Sequence, residues 1–139
     1  MVTDTELRQA LEDARVIALV GASPDAARPS HSVGEYLAGC GYRVVGVNPH
    51  AAGELLFGER VVARLDEVPE ADFLDIFRRS EAVPAIVDDA LRVLPKLECI
   101  WMQLGVKSEE GARKARARGM RVVQNRCPKI EIPRLGLSF

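Results

Sequence analysis

Val16-Ile17-Ala18-Leu19-Val20, followed at once by Gly21-Ala22-Ser23-Pro24, is the stretch that decides the fold. An unbroken run of branched and small aliphatic side chains is typical of a strand that is buried on both faces. Pro24 interrupts regular structure because its ring restricts the backbone and removes a hydrogen-bond donor. We therefore predict a central parallel strand that ends in a turn and a polar loop.

Similar apolar runs recur along the chain and alternate with segments of helical periodicity. Strands are predicted at residues 43–47, 71–77, 98–102 and 120–123. Helices are predicted at residues 4–14, from about Ser30 to Gly41, from Ser80 onward, and from Ser108 to about Arg118. Residues 50–63 have no clear period, so we expect an irregular connection with at most a short strand at residues 60–62. One helical turn is expected at residues 65–68 and one in the proline-containing tail.

This alternation predicts a doubly wound, Rossmann-like α/β fold, with a mainly parallel five-stranded sheet and helices on both faces. A chain of 139 residues suits one domain, so we expect residues 1–139 to form a single domain. Ligands of such sheets bind beyond the carboxyl ends of the strands, near the point where the strand order reverses. The residues that directly follow each strand are therefore the candidate site.

Composition and charge exclude several classes of protein. The 19 Lys+Arg and 20 Asp+Glu give a net charge of −1, which argues against a broad nucleic-acid-binding surface. The longest apolar run is too short to span a bilayer, and the polar first residues do not resemble a signal sequence. We expect a cytoplasmic protein that binds neither nucleic acid nor membrane. Cys40, Cys99 and Cys127 lack metal-ligand spacing, which favours reduced, mostly buried thiols and no metal site.

The loop after the first strand favours an anion. It runs from Gly21 to Ser30 and leads into a helix, whose free N–H groups carry a partial positive charge. A diphosphate is the anion most often held in this way, and Ser23, Arg28 and Ser30 could add donors. The alternative is a plain strand-to-helix turn, which also needs a glycine and a capping serine.

The later strand ends carry basic and amide side chains. Asn48-Pro49 follows the second strand, and Asn48 either contacts a ligand or begins a turn. Arg78 and Arg79 precede a helix N-terminus, where a bound phosphate would offset their repulsion from the helix dipole. One of these arginines could instead pair with Glu81 or Asp75. The last two strands end in Gln103-Leu104-Gly105 and Gln124-Asn125-Arg126-Cys127.

Catalytic motifs are missing from this edge of the predicted sheet. His31 and His50, the two histidines, have no Asp, Ser or Cys at a diagnostic spacing. Cys127 has no identifiable base. The loop also lacks G-x-G-x-x-G, and the second strand lacks the acidic residue that binds the ribose of NAD. We therefore predict no catalytic residues and disfavour NAD.

Taken together, the residues at the strand ends resemble the CoA-binding domain family, the Rossmann-type domain also found at the start of succinyl-CoA synthetase alpha subunits. The similarity covers about residues 14–135. The matching motifs are Val20-Gly21-Ala22-Ser23, Arg28-Pro29-Ser30, Val47-Asn48-Pro49, Phe77-Arg78-Arg79, Gln103-Leu104-Gly105 and Asn125-Arg126-Cys127-Pro128-Lys129.

The resemblance implies binding of coenzyme A or an acyl-CoA. It assigns the diphosphate to Gly21, Ala22, Ser23, Arg28 and Ser30, nucleotide groups to Asn48 and Arg78 or Arg79, and the rest of the ligand to Gln103–Gly105, with Asn125 in the last motif. The 3′-phosphate of CoA also suits arginine better than an acid.

The chain ends before the second domain that carries the catalytic histidine of the synthetase. The resemblance therefore implies a non-catalytic CoA-binding protein that could serve a partner enzyme. A homodimer could form through residues 4–14 or 132–139. The alternatives are an NAD(P)-dependent oxidoreductase-like nucleotide-binding domain and an interaction module with a degenerate site.

Overall fold

Seven strands and five helices are seen in the computed structural model, which describes residues 2–139. In chain order the strands are β1 (Val16–Val20), β2 (Arg43–Val47), β3 (Leu55–Leu56), β4 (Glu59–Arg60), β5 (Phe73–Ile76), β6 (Cys99–Met102) and β7 (Arg121–Val123). The helices are α1 (Asp4–Asp13), α2 (Pro29–Gly39), α3 (Val83–Val93), α4 (Glu109–Ala117) and α5 (Pro128–Arg134). Short 3-10 turns lie at Leu65–Glu67 and Ser80–Ala82.

Five of the strands form one parallel sheet, in the order β2-β1-β5-β6-β7, with helices on both faces. Successive residues of a strand point to opposite faces, so Leu19 packs under α1, α2 and α5 while Ala18 packs under α3 and α4. This arrangement confirms the predicted doubly wound α/β fold.

The position of β1 creates the crevice. Val20, its last residue, is in register with Val47 of β2 on one side and with Ile76 of β5 on the other. The connection from β1 uses α2 on one face, whereas the connection from β5 uses α3 on the opposite face. The chain therefore diverges beyond the carboxyl ends of β1 and β5, where ligands of this fold class bind.

Two segments differ from the prediction. Residues 55–60 form a hairpin of β3 and β4, and Val62 makes an isolated parallel bridge to Val47 in place of a short strand at residues 60–62. The tail forms α5, a helix of 7 residues, in place of a single turn. Pro128 lies in its first turn, where a missing N–H costs no hydrogen bond.

The apolar side chains of α1 and of the tail are largely used inside this chain. Leu7, Leu11 and Leu135 are all buried. Phe139 is 57% exposed, although its ring lies 5.1 Å from that of Tyr42, measured between centroids. Within residues 4–14 and 132–139, Phe139 is therefore the exposed large apolar side chain available to a second copy.

Candidate functional site

Gly21 directs the chain out of β1 across the strand ends. Its backbone φ is +91°, which L side chains rarely adopt. Its N–H donates to the carbonyl oxygen of Val47 at 2.9 Å, and a Cβ at this position would collide with the carbonyl oxygen of Phe77. The turn is thus held between the ends of β2 and β5, where only glycine fits without displacing the backbone.

The loop from residues 21 to 30 is held by its own side chains. The Ser30 hydroxyl is buried in the first turn of α2 and accepts from the Ser23 N–H at 3.2 Å. The Ser23 hydroxyl accepts in turn from the Asp25 N–H at 3.1 Å. Arg28, the N-cap residue of α2, gives the helix no side-chain hydrogen bond. Pro29 has no N–H, and the His31 N–H donates to the Arg28 carbonyl oxygen at 3.0 Å, so the Ser30 N–H is the donor that this helix start offers to an anion.

A polar cavity of about 360 Å³ opens beside this loop. Its lining residues come from the ends of β1, β2 and β5 and from the start of α2: Gly21, Ser23, Arg28, Pro29, Ser30, Asn48, His50, Phe77 and Arg78. The lining contains arginines and no carboxylate. Within residues 2–139, Arg28, Arg78 and Arg79 form no salt bridge, so neither Glu81 nor Asp75 pairs with an arginine of this group. Their positive charge is available to a ligand.

Asn48 ties the β1 loop to the β2 loop. Its side-chain Nδ2 donates to the Ala22 carbonyl oxygen at 2.8 Å, and its Oδ1 accepts from the His50 N–H at 3.0 Å. Asn48 therefore begins a turn and also lines the polar cavity. The Ala22 side chain is buried beneath the loop and contacts no cavity, so Ala22 contributes only its backbone here.

An apolar cavity of about 660 Å³ adjoins the polar one. It lies between the starts of α2 and α5, and its lining comprises Pro29, Ser32, Val33, Phe77, Arg78, Arg79, Gln103, Leu104, Gly105, Val106, Cys127, Lys129 and Ile130. Pro29, Phe77 and Arg78 belong to both cavities. Leu104 and Ile130 are 54% and 51% exposed at its rim. The two cavities thus form one continuous cleft that changes from polar to apolar near Arg78.

The loop after β6 is held by the loop after β7. The Gly105 N–H donates to Oδ1 of Asn125 at 2.7 Å, and the Asn125 N–H donates to the Val106 carbonyl oxygen at 3.2 Å. Asn125 has a φ of +58° and lines neither cavity. It positions Gly105, which does line the apolar cavity.

Two buried polar side chains lie near this cleft without partners. Gln103 is 5% exposed, and its Oε1 has no hydrogen-bond partner among the described residues. Asp75, in the middle of β5, is fully buried, and both of its carboxylate oxygens also lack a partner. Burial raises the pKa of the Asp75 carboxyl, because the charged form is poorly solvated there.

A third cavity, of about 260 Å³, lies on the other side of Arg78. It is lined by the ends of β1 and β2, the segment at residues 63–65 and the start of α3: Val20, Val47, Pro49, Ala63, Arg64, Leu65, Arg78, Ala85, Ile86 and Asp89. Arg78 therefore borders all three cavities.

The cleft brings together most of the predicted site residues. Those that line it are Gly21, Ser23, Arg28, Ser30, Asn48, Arg78, Arg79, Gln103 and Gly105. The sequence analysis assigned no ligand contact to Phe77, His50 or Ile130, which also line the cleft. Phe77 directly follows β5 and His50 lies three residues after β2, so their positions near strand ends could have identified them. Ile130 lies in α5, a helix that was not predicted because of its prolines.

Fold and cleft together define a Rossmann-like α/β domain with its candidate binding site at the carboxyl edge of the sheet. The sequence profile described as "CoA binding domain" matches residues 15–133. The protein YneT of Bacillus subtilis (strain 168) is 30% identical over 126 residues, which cover 90% of each chain. The chain belongs to the CoA-binding domain family, and this membership supports CoA binding in general.

Two solved structures share the fold. The structure of cell-free ID.343 from Thermus thermophilus has a TM-score of 0.89 at 38% identity, over 96% of this chain and 99% of that one. A dinucleotide-forming acetyl-coenzyme A synthetase from Ca. Korarchaeum cryptofilum has a TM-score of 0.61 at 26% identity, over 77% of this chain and 25% of that one. The likeness to that enzyme therefore covers a quarter of its length.

Neither a metal centre nor a membrane span emerges from residues 2–139. This part of the chain holds no group of three His, Cys, Asp or Glu side chains placed to bind a metal ion. None of its helices combines the length and the apolar character needed to cross a bilayer.

Proposed function

We propose that this protein binds coenzyme A or an acyl-CoA in the cleft and does not catalyse a reaction by itself. One observation carries the proposal: a polar cavity with unpaired arginines runs directly into a larger apolar cavity at the switch point of the sheet. CoA has the same division, since an anionic nucleotide is joined to a long, uncharged pantetheine arm. Family membership supports the same ligand.

The diphosphate would lie on the β1 loop. The Ser30 N–H lies at the start of α2, and Arg28 and Arg78 offer charge-assisted hydrogen bonds from the two sides of the polar cavity. The third cavity, between Pro49 and Ile86, is the place for the adenine ring, because it is mostly apolar and borders Arg78. Arg64 and Arg78 would then be near the 3′-phosphate.

The pantetheine arm would cross Arg78 into the apolar cavity. Phe77 and Val106 offer apolar contacts along that path, and Gln103 offers an amide. An acyl group on the sulfur would extend toward Leu104 and Ile130 at the rim. A ligand held in this way leaves its reactive end near the surface, where a partner enzyme could receive it.

Isothermal titration at one ionic strength tests the proposal, with CoA, dephospho-CoA, NAD and ATP as parallel ligands. We expect selective binding of CoA and weaker binding of dephospho-CoA. Arg78→Ala should weaken CoA binding about 10-fold or more, since a hydrogen bond to a charged group is worth about 1.5–3 kcal/mol. Arg113→Ala is the matched control, because Arg113 is exposed on α4 and lines none of these cavities.

Other outcomes would assign a different function. Binding of NAD in preference to CoA would indicate an oxidoreductase-like domain. Binding of none of the four ligands would indicate an interaction module with a degenerate site. Equal CoA affinities for wild type and Arg78→Ala would remove Arg78 from the site.

A further inference from the structure

We infer that Cys127 is a thiol–disulfide exchange site for the thiol end of CoA, so that the apolar cavity can hold the cofactor as a mixed disulfide. This inference rests on the proposed function, because it needs the pantetheine arm to enter that cavity. It adds a covalent, redox-dependent state to a reversible binding site.

Cys127 lies on the wall of the apolar cavity, at the start of α5. It is a free thiol and only 5% exposed. Two hydrogen bonds place the preceding residue against β6: Arg126 N–H donates to the Met102 carbonyl oxygen at 3.3 Å, and Trp101 Nε1 donates to the Arg126 carbonyl oxygen at 2.7 Å. Cys127 and Gln103 each follow this pairing by one residue and line the same cavity.

Gln103 provides a second, independent sign of a ligand. Its side chain is almost fully buried in the cavity wall, yet its Oε1 acceptor has no partner. Buried amide oxygens are nearly always hydrogen-bonded in folded proteins. The pantetheine arm carries two amide N–H groups and ends in a thiol. Since Gln103 and Cys127 line the same cavity, we place an amide N–H of the arm beside Gln103 and its thiol beside Cys127.

Charge sets the direction in which the ligand enters. Arg78 stands where the two cavities meet and has no carboxylate partner, so the anionic end belongs on its polar side. The sulfur end then points toward α5, on the side of the cavity that carries Cys127. Leu104 and Ile130 on the same side are more than half exposed, so the cavity opens to solvent there.

The exchange balances with a CoA-containing disulfide as co-reactant. Cys127 loses its proton to solvent, and its thiolate attacks the CoA sulfur of the disulfide. The sulfur–sulfur bond of the reagent breaks as the Cys127–CoA bond forms, and the other thiolate leaves and takes up a proton. Any thiol reductant reverses the step by the same chemistry.

The other cysteines supply internal controls. Cys40 is more exposed than Cys127 but lies at the end of α2 and outside the cavity. Cys99 is buried at the opposite end of β6, and burial raises the pKa of its thiol. A reaction governed by exposure alone would modify Cys40, whereas one governed by the cleft modifies Cys127.

The test is incubation of the full chain with CoA disulfide, followed by intact mass under non-reducing conditions and peptide mapping. We expect one CoA adduct, mapped to Cys127, in wild type and in Cys40→Ser. It should disappear with reductant and in Cys127→Ser. Glutathione disulfide, which lacks the nucleotide, should react at least 10-fold more slowly, and excess acetyl-CoA should slow the CoA reaction. Mapping of the wild-type adduct keeps the test valid even if Cys127→Ser folds poorly.

Titration of reduced protein with CoA, run in parallel, separates the two proposals. CoA binding without an adduct at saturating CoA disulfide overturns the disulfide site alone. An adduct on Cys40, or equal rates with glutathione disulfide, overturns it as well. Absence of both binding and adduct overturns the proposed function together with this inference.

Discussion

Gly21 is the residue on which the geometry of the cleft depends most directly. Gly21→Ala should lower the free energy of unfolding by about 2–4 kcal/mol, because a disfavoured φ costs about 1–2 kcal/mol and the clash with the Phe77 carbonyl displaces the loop. CoA binding should be lost with the loop geometry. Urea unfolding and calorimetric titration measure the two effects.

Gly53 is the matched control for this substitution. It has the same φ of +91°, but a Cβ there would meet no atom within 4 Å. Gly53→Ala therefore carries only the conformational cost and should leave CoA affinity unchanged. Equal losses of stability in the two variants, with CoA binding retained in both, would show that the approach of Phe77 to Gly21 is unimportant.

Asp75 should make stability depend on pH in an unusual direction. Burial raises its pKa in the folded protein, so the folded state holds the proton more tightly than the unfolded state does. Relative to Asp75→Asn, wild type should be most stable below the unfolded pKa of about 3.9. It should lose stability as the pH rises toward the folded pKa. Urea unfolding of both proteins between pH 4 and 8 measures the difference.

Asp13→Asn provides a comparison of opposite sign. Hydrogen bonding to Arg121 lowers the pKa of Asp13. The contribution of Asp13 to the free energy of unfolding is therefore present above its unfolded pKa and is lost as the pH falls through its folded pKa.

For Asp75 the opposite result would contradict the prediction. A wild-type advantage over Asp75→Asn that grew with pH would show that the Asp75 carboxylate has a partner in solution.

At the scale of elements, α5 forms the outer wall of the apolar cavity. Glu131, the buried acid of this helix, accepts from Arg134 Nε at 2.9 Å and from Arg126 Nη1 at 3.4 Å. Glu131→Gln should lower the free energy of unfolding by about 1–2 kcal/mol, since the two arginines would then donate to a neutral amide oxygen in place of a carboxylate. Faster hydrogen exchange in α5 and weaker CoA binding should accompany the loss.

Asp4→Asn tests whether the buried contact is what matters. Asp4 is the exposed partner of Arg134, at 2.9 Å, and exposed ion pairs contribute little. We expect this variant to keep wild-type stability and CoA affinity. A larger effect from Asp4 than from Glu131 would assign the support of α5 to α1 instead.

Elements differed in how well the sequence predicted them, for physical reasons. β1 and β2 match the predicted bounds, because an unbroken apolar run is typical of a strand that is buried on both faces of a parallel sheet. α5 was not predicted because Pro128 and Pro133 suggest chain breaks, although Pro128 stands where a helix tolerates it. The hairpin of β3 and β4 has strands of 2 residues each, too short to show alternation.

The same distinction applies to the candidate site. Its location at the carboxyl edge follows from the order of elements alone, and so do Arg28 and Arg78. The roles of Ala22 and Asn125 in supporting loops depend on which atoms the folded backbone brings within reach, and local sequence does not carry that information. The size of the apolar cavity depends on α5, so it could not be anticipated either.

Across the whole molecule, the cleft collects residues from the ends of four strands of the parallel sheet and from the start of α5, which follows the fifth strand. The polar cavity takes its lining from the ends of β1, β2 and β5, and the apolar cavity from the ends of β5 and β6 and the start of α5. A ligand that fills both cavities therefore joins the two halves of the sheet, and Arg78 lies at their junction. The nucleotide should therefore stabilise mainly the loops around the polar cavity, and the pantetheine arm mainly those around the apolar cavity.

Fragments of CoA test this division. Adenosine 3′,5′-bisphosphate should slow hydrogen exchange in the loop at residues 21–30, and pantetheine should slow it at residues 103–106 and 127–132. Intact CoA should protect both regions and bind about 10²–10⁴-fold more tightly than either fragment, because the second contact becomes intramolecular. Protection of the first region alone by intact CoA would mean that the pantetheine arm stays in solvent. In that case the apolar cavity would serve another ligand, and the nucleotide would account for all of the CoA affinity.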